Sequence, residues 1–187
     1  WFSENAVLIL AGVGCVLGAS IGGSAGDCLT GAAIGGLGGA LARITILDER
    51  DSYSDDEEFV AAVSDELERV LAENDRLVPA AERLADQHGL RLTEIGEAYR
   101  AGRITRDAAR AEIDAYLVDE QALRLIVQSN GRLLEDIDKA LTGVNVATVQ
   151  QQRLQNQEAE FLADAGRIEY AQQRLAEALA ALPRDLL

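Results

Sequence analysis

Two hydrophobic patterns follow one another along the chain. Residues 5–47 carry only two charges, Asp27 and Arg43, and consist largely of glycine, alanine and aliphatic side chains. From residue 59 onward, apolar residues instead recur every three or four positions among charged ones. The first pattern is typical of helices that cross a membrane, and the second is typical of amphipathic helices that bury one face. The sequence therefore predicts an all-α protein with two regions of different composition.

Glycines in the first region repeat at every fourth position in two runs. The first run is Gly14, Gly18, Gly22 and Gly26, and the second is Gly31, Gly35 and Gly39. Because positions four apart share a helix face, each run forms a stripe without side chains, which lets membrane helices pack closely. Glycine costs about 1 kcal/mol relative to alanine in an aqueous helix, but lipid excludes the competing non-helical states. We therefore expect these seven glycines to be helix-packing and oligomerisation positions.

The lengths on either side of Asp27 fit a membrane hairpin. Residues 5–26 are uncharged, and residues 29–47 carry only Arg43. A bilayer crossing needs about 20 residues, so residues 1–47 are predicted to form a transmembrane helical hairpin with its turn near Asp27. A soluble hairpin buried in the domain core is the alternative, although such a core would gain more from larger side chains. A phosphate-binding loop is disfavoured because no Lys-Ser/Thr pair follows the glycines.

The segments GASIGGSAG and GAAIGGLGGALA give residues 11–42 a family resemblance. The stretch resembles the glycine-zipper two-transmembrane hairpins of bacterial cell-envelope proteins. The resemblance implies self-association in the membrane through the glycine stripes and a place in the envelope, with the inner or outer membrane left open. Lipidation at Cys15 is disfavoured, because the preceding LAGVG departs from a lipoprotein cleavage signature at Gly12.

The acidic remainder begins with a linker and is helical in pattern. Residues 48–58, DERDSYSDDEE, hold seven acidic residues and one arginine and are expected to be solvated. Ser54 followed by Glu57 predicts a capping box. The helix that follows is expected to kink or restart at Pro79 and to end near residues 88–89.

A short helix closed by Gly102 is expected next, followed by a longer one capped by Thr105. The longer helix is predicted to use a narrow stripe of small residues and to end near Gly143. The predicted stripe comprises Ala108, Ala111, Ala115, Val118, Ala122, Leu125 and Ser129, continued by Leu133, Ile137 and Leu141.

The last predicted helix, residues 146–182, carries a heptad repeat. Its seam comprises Ala147, Leu154, Phe161, Ile168, Leu175 and Leu182. The second core position of the heptad, three residues after the first, is occupied by Gln150, Gln157, Asp164, Ala171 and Ala178. The seam is therefore more polar at its start than at its end, unlike a parallel dimer with leucine at this position. We expect this coiled-coil helix to pack against residues 105–141 or against copies of itself in a ring.

Charge narrows the classes of partner. The formal net charge is −15, and residues 48–187 hold 30 acidic and 16 basic side chains. This balance disfavours nucleic-acid binding, which needs positive surface. A single lysine against 16 arginines, together with abundant alanine and glycine, indicates a bacterial genome rich in G and C.

Residues able to carry catalysis are scarce. His88 is the only histidine, and Cys15 and Cys28 are the only cysteines. These three residues cannot build a tetrahedral zinc site. A catalytic triad would have to use His88, and nothing flanks His88 to suggest a nucleophile. His88 is expected to be a favourable cation at a helix end. If residues 15–26 are helical, the cysteines lie about 20 Å apart, too far for a disulfide. We expect no enzyme activity and no cofactor.

Three functions remain open. The first is a membrane-anchored structural component, with hairpin 1–47, linker 48–58 and an extramembrane helical domain over residues 59–187 that forms an acidic collar or stalk. Its expected partners are the lipid bilayer, copies of itself and other envelope proteins. The second is a pore-forming subunit, although the crossings lack the polar lining typical of a conduit. The third is a soluble helical adaptor.

Overall fold

A computed structural model describes residues 52–144 and 148–187 of the chain. The predicted hairpin, its seven glycines and both cysteines lie outside the described residues. Within them the fold is all-α, as predicted, with three helices and no strand: α1 (Asp56–Arg100), α2 (Arg106–Leu141) and α3 (Thr148–Ala180). None of these three helices is long and apolar enough to span a bilayer.

Contacts between α1 and α3 show that these two helices run in the same direction. Ser64 contacts Gln157 near their starts, and Glu82 pairs with Arg167 farther along. Near their ends, Gly96 lies so close to Leu182 that an added Cβ would sit 3.3 Å from the leucine side chain. The missing side chain at Gly96 therefore permits this close approach.

α2 runs antiparallel to the other two helices. His88 of α1 lies beside Asp119, whereas Val60, near the start of α1, lines the same cleft as Leu141, at the end of α2. The described residues thus form an up-down-up three-helix bundle. α1 and α3 approach closely over more of their length than either does with α2. The predicted neighbour of α3, residues 105–141, is therefore only its secondary partner, and the principal one is α1.

α1 is one continuous helix of 45 residues, about 67 Å long. The predicted end near residues 88–89 is wrong, because Leu92 and Ile95 continue the buried stripe beyond Gly89 and are 0% and 2% exposed. Burial of two such side chains outweighs the cost of about 1 kcal/mol for one helical glycine. The helix also continues through Pro79, where Val78 and Ala80 are buried on either side.

The helix ends follow the predicted chemistry with one shift. Asp55, rather than Ser54, is the N-cap of α1, and its carboxylate accepts a hydrogen bond from the backbone N–H of Glu58 at 2.8 Å. Glu58 in turn accepts from the backbone N–H of Ser54, so the predicted Ser54–Glu57 capping box is wrong by one residue. The predicted cap at Thr105 is confirmed, since its hydroxyl accepts from the Ala108 N–H. Gly102 follows α1 with a φ of 68°, the left-handed conformation that glycine favours.

The buried face of α2 differs from the predicted one. Ala108, Ala111 and Leu125 of the predicted stripe are exposed. Ala122, Leu133 and Ile137 of that stripe are buried as predicted. The other hydrophobic residues that α2 buries are Ala109, Ile113, Tyr116, Leu123 and Ile126. In the first half of α2, the predicted stripe and the buried stripe both have heptad spacing and are offset by about one residue. The stripe with larger side chains faces the core because its burial removes more apolar area from water.

α3 ends at Ala180, two residues before the predicted end, and residues 145–147 before it are not described. The heptad residues Leu154, Phe161, Ile168, Leu175 and Leu182 are all buried. After α3 the chain folds back over the end of the bundle, where Leu186 is buried. This segment is held by Tyr99, which donates a hydrogen bond to the Asp185 carboxylate.

Candidate functional site

The interior of the bundle contains polar side chains at three heights. Those that are buried are Ser64, Asn74, His88, Asp119, Glu120, Asn130 and Gln157. Burying a polar group costs free energy unless a hydrogen bond replaces its contacts with water. Because burial of apolar area alone does not explain these polar residues, they are the candidate functional positions of the described structure.

The polar contact nearest the linker joins α1 to α3. The Ser64 hydroxyl donates to Gln157 Oε1 at 2.7 Å, and Gln157 Nε2 donates to the Ser64 carbonyl at 3.0 Å. Gln157 occupies the second heptad position of α3, where a hydrophobic residue is usual. Because the two residues satisfy one another, this position tolerates a polar side chain and pairs specifically with one turn of α1.

The middle layer contains amides and a carboxyl group. Burial raises the pKa of Asp164, and the charge of Arg167 and the neighbouring Asn74 amide of α1 only partly offset this effect. Asn130 of α2 is 1% exposed, and its amide has no hydrogen-bond partner within the described residues. Starting from the His88–Asp119 contact, the antiparallel register places Asn130 opposite Leu77, about one turn from Asn74.

The layer farthest from the linker contains a buried imidazole and carboxylate. His88 Nδ1 lies 3.3 Å from Asp119 Oδ2, and these side chains are 3% and 0% exposed. The ring of Tyr116 packs on His88 with centroids 4.5 Å apart. Burial lowers the pKa of His88 to about 4, so the imidazole is neutral at pH 7. The prediction of a cation at a helix end is therefore wrong, since His88 lies in the middle of α1.

A second carboxylate sits directly beside this pair in sequence. Glu120 is buried, and Arg124 donates to its two carboxylate oxygens at 2.8 and 2.9 Å. Gln172 of α3 donates to the same carboxylate. Glu120 therefore links α2 to α3 at the height where Asp119 links α2 to α1.

His88 and Asp119 are enclosed by helices and are closed to a substrate. In the described part of the chain, no group of three or more His, Cys, Asp or Glu side chains is arranged to hold a metal ion.

One cleft of about 400 Å³ lies at the linker end of the bundle and includes Asp138 and Glu158 in its wall. Burial, followed by the charge of Asp138, raises the pKa of Glu158. The cleft is far along the helices from His88, so the two do not form a common site.

Sequence reasoning singled out some of these positions and missed others. Gln157 and Asp164 were identified as polar heptad positions, whereas Asn74, Asp119 and Asn130 were not. The signal was available for Asn74, which stands in the apolar series of α1 between Val70 and Leu77. Asp119 and Asn130 were hidden because the buried face of α2 was misassigned. The predicted glycine positions lie outside the described residues.

Comparison with known proteins provides no relative for this chain. No protein-family model, curated protein or solved structure matches it.

Proposed function

We propose that the protein is a non-enzymatic structural component anchored in a bacterial envelope membrane. In this proposal, residues 1–47 form the glycine-zipper hairpin, and copies self-assemble through its glycine stripes. The three-helix bundle projects from the membrane as an acidic collar or stalk within a larger envelope assembly.

The observation that carries the proposal is the contrast between the described bundle and the segment before it. Apolar side chains from all three helices form one continuous cluster extending from Phe59 to Leu186. The bundle therefore has a hydrophobic core of its own. The almost uncharged residues 5–47 precede it and match the length and spacing of two packed membrane helices.

The direction of the helices supports a projecting stalk. α1 begins at Asp56, within the acidic stretch 48–58, and extends about 67 Å. The end of the bundle that receives the linker is thus the end nearest the membrane, and the folded-back segment around Leu186 is at the far end. The negative charge of residues 48–187 disfavours lying flat on an anionic lipid surface.

Extraction of membranes with alkaline carbonate tests the anchor. The full chain should remain with the membrane pellet, because two packed apolar helices resist extraction. Release into the soluble fraction would contradict the proposal and favour the adaptor alternative.

Leucine substitutions on and off the stripes test the zipper. Gly18→Leu and Gly35→Leu should lower the oligomer mass in detergent, because a leucine side chain blocks close helix approach. Gly23→Leu and Gly36→Leu are matched controls on other helix faces and should leave the mass unchanged. Equal masses for all four variants would contradict the zipper. Single-channel recording of the purified oligomer distinguishes a structural assembly from the pore alternative, which requires a unitary conductance.

A further inference from the structure

The outward face of α2 has an uncharged centre between two charged ends. Its centre comprises Val118, Gln121, Leu125 and Gln128, of which Leu125 is 43% exposed. The charged side chains of the end nearest the N-terminus are Asp107, Arg110 and Asp114, and those of the other end are Arg132, Asp136 and Lys139. All ten positions share one side of the helix at heptad-like spacing, because successive steps are three or four residues. This set is the outer face of α2.

The charges on the outer face of α2 are complementary to those of a second copy that runs in the opposite direction. If a second α2 helix lies antiparallel and the pair is centred on residue 123, Asp114 is level with Arg132 of the second copy. In the same register, Asp107 is level with Lys139 of the second copy, and Arg110 with Asp136. The uncharged centre meets itself, with Gln121 level with Leu125. Every opposed charge in this arrangement has the opposite sign.

Of the three opposed charge pairs, Asp114–Arg132 is the one whose side chains are most accessible to a second copy. Asp114 and Arg132 are both exposed. Arg110, by contrast, donates to the Leu186 carbonyl of its own chain, and Lys139 lies 3.4 Å from Asp136 on its own helix. A parallel pairing is disfavoured, since it would place Asp114 beside its own equivalent.

We propose that the outer face of α2 is a docking surface for a second copy of this chain, bound antiparallel. The apolar and amide side chains at the centre supply the contact, and the flanking charges select the direction and register. α3 also has an uncharged outward side, around Ala163 and Tyr170, but it lacks flanking charges of opposite sign. Antiparallel docking places the linker ends of the two bundles at opposite ends of the pair. If the proposed membrane anchor holds, the pair therefore joins copies anchored in two membranes that face one another, whereas neighbours in one membrane associate through the hairpin.

Cross-linking between two differently tagged copies of the full chain tests this pairing. Both copies carry Cys15→Ser and Cys28→Ser, one also carries Gln121→Cys, and the other carries Leu125→Cys. In detergent, a short thiol cross-linker should join the two introduced cysteines, because the register makes them level. The matched control replaces Gln121→Cys with Gln173→Cys, an exposed position on α3. Equal yields in both combinations would overturn the proposal, since association through the hairpin alone gives α2 no preference.

Charge reversal tests the register. Asp114→Arg in both copies should lower the cross-linking yield at least fivefold, because each arginine then faces Arg132 of the other copy. Asp114→Arg in one copy with Arg132→Asp in the other should restore the yield, because both opposed pairs regain opposite signs. Glu97→Arg in both copies makes the same change in charge on an exposed position of α1 and should have no effect. A yield that ignores Asp114→Arg, or that mixing fails to restore, would overturn the antiparallel register.

Discussion

The two interfaces of α1 differ in how closely the helices approach and in the kind of polar group they enclose. Against α3, the approach is close along much of the helix, and the buried polar pair is the neutral Ser64–Gln157 pair, with the less buried Asp164 beside Asn74. Against α2, the close approach is shorter, and the interface encloses the titratable His88–Asp119 pair. The α1–α3 interface is therefore expected to supply most of the stability, and the α1–α2 interface is expected to respond to pH.

The surface ion pairs follow the same division. Three arginines of α3 reach carboxylates of α1 along the parallel interface: Arg153, Arg167 and Arg174. Between α1 and α2, Arg91 and Glu112 form an ion pair at 2.5 Å. Each exposed ion pair contributes little to the free energy of unfolding, so these ion pairs fix the relative alignment of the helices more than they stabilise the fold.

The largest expected effect comes from placing a charge in the α1–α3 seam. Phe161 is 0% exposed, so Phe161→Asp should lower the free energy of unfolding by more than about 4 kcal/mol, through lost burial and an unpaired buried charge. Denaturant unfolding followed by circular dichroism measures this. Leu162→Asp is the matched control, because Leu162 is 54% exposed and its substitution should cost about 0.5 kcal/mol or less. Similar losses for both variants would mean that α3 does not dock as described.

The buried pair between α1 and α2 should give the next largest effect. Asp119→Leu alone should destabilise the fold by about 3 kcal/mol, because it leaves the His88 imidazole buried without its acidic neighbour. The double variant His88→Leu with Asp119→Leu should be closer to the wild type, since two apolar side chains need no partner. Additive losses in the same unfolding measurement would show that the two residues do not interact.

The lowered pKa of His88 predicts a pH dependence with a definite sign. The unfolded chain binds a proton near pH 6.5, whereas the folded chain binds it only near pH 4. The stability present above pH 6.5 should therefore fall by about 2–3 kcal/mol as the pH drops from 6.5 to 4.

The groups that face His88 are Asp119 and Tyr116, with Arg91 and Glu112 near the tyrosine ring. His88→Gln should remove this part of the pH dependence, while the carboxyl groups of the chain titrate as before. A pH profile that is identical in wild type and variant would contradict a neutral, buried His88.

The smallest expected effect is at the surface of the α1–α3 interface. Arg153 lies 2.6 Å from Glu68, but both side chains are more than half exposed. Arg153→Ala should therefore change the free energy of unfolding by about 0.5 kcal/mol or less, with any loss reduced by salt. A loss comparable with that of Asp119→Leu would reverse the contrast between surface pairs and buried pairs.

Prediction from sequence was most successful where one pattern had no competitor. The heptads of α3 have one continuous apolar series, and its members from Leu154 to Leu182 are buried. The cap at Thr105 and the stop at Gly102 depend on local backbone geometry, so nearby residues were enough to identify them.

Prediction failed where two faces competed or where distant burial opposed a local signal. α2 has two stripes with heptad spacing, and only the neighbouring helices decide which one is covered. Gly89 is a local signal for a helix end, but Leu92 and Ile95 beyond it pack into the core. The polar candidates Asp119 and Asn130 could not be recognised without the correct face of α2.

The sequence by itself determined that the acidic region is built from amphipathic helices, because periodicity and caps are properties of neighbouring residues. It also determined the contrast between this region and the almost uncharged residues 5–47. Only the tertiary structure decided that α3 pairs mainly with α1, that His88 is buried and neutral, and that α2 turns Ala108, Ala111 and Leu125 outward. The physical reason is that burial depends on which helices approach one another, and that choice is made by the total area and polarity of all three faces together.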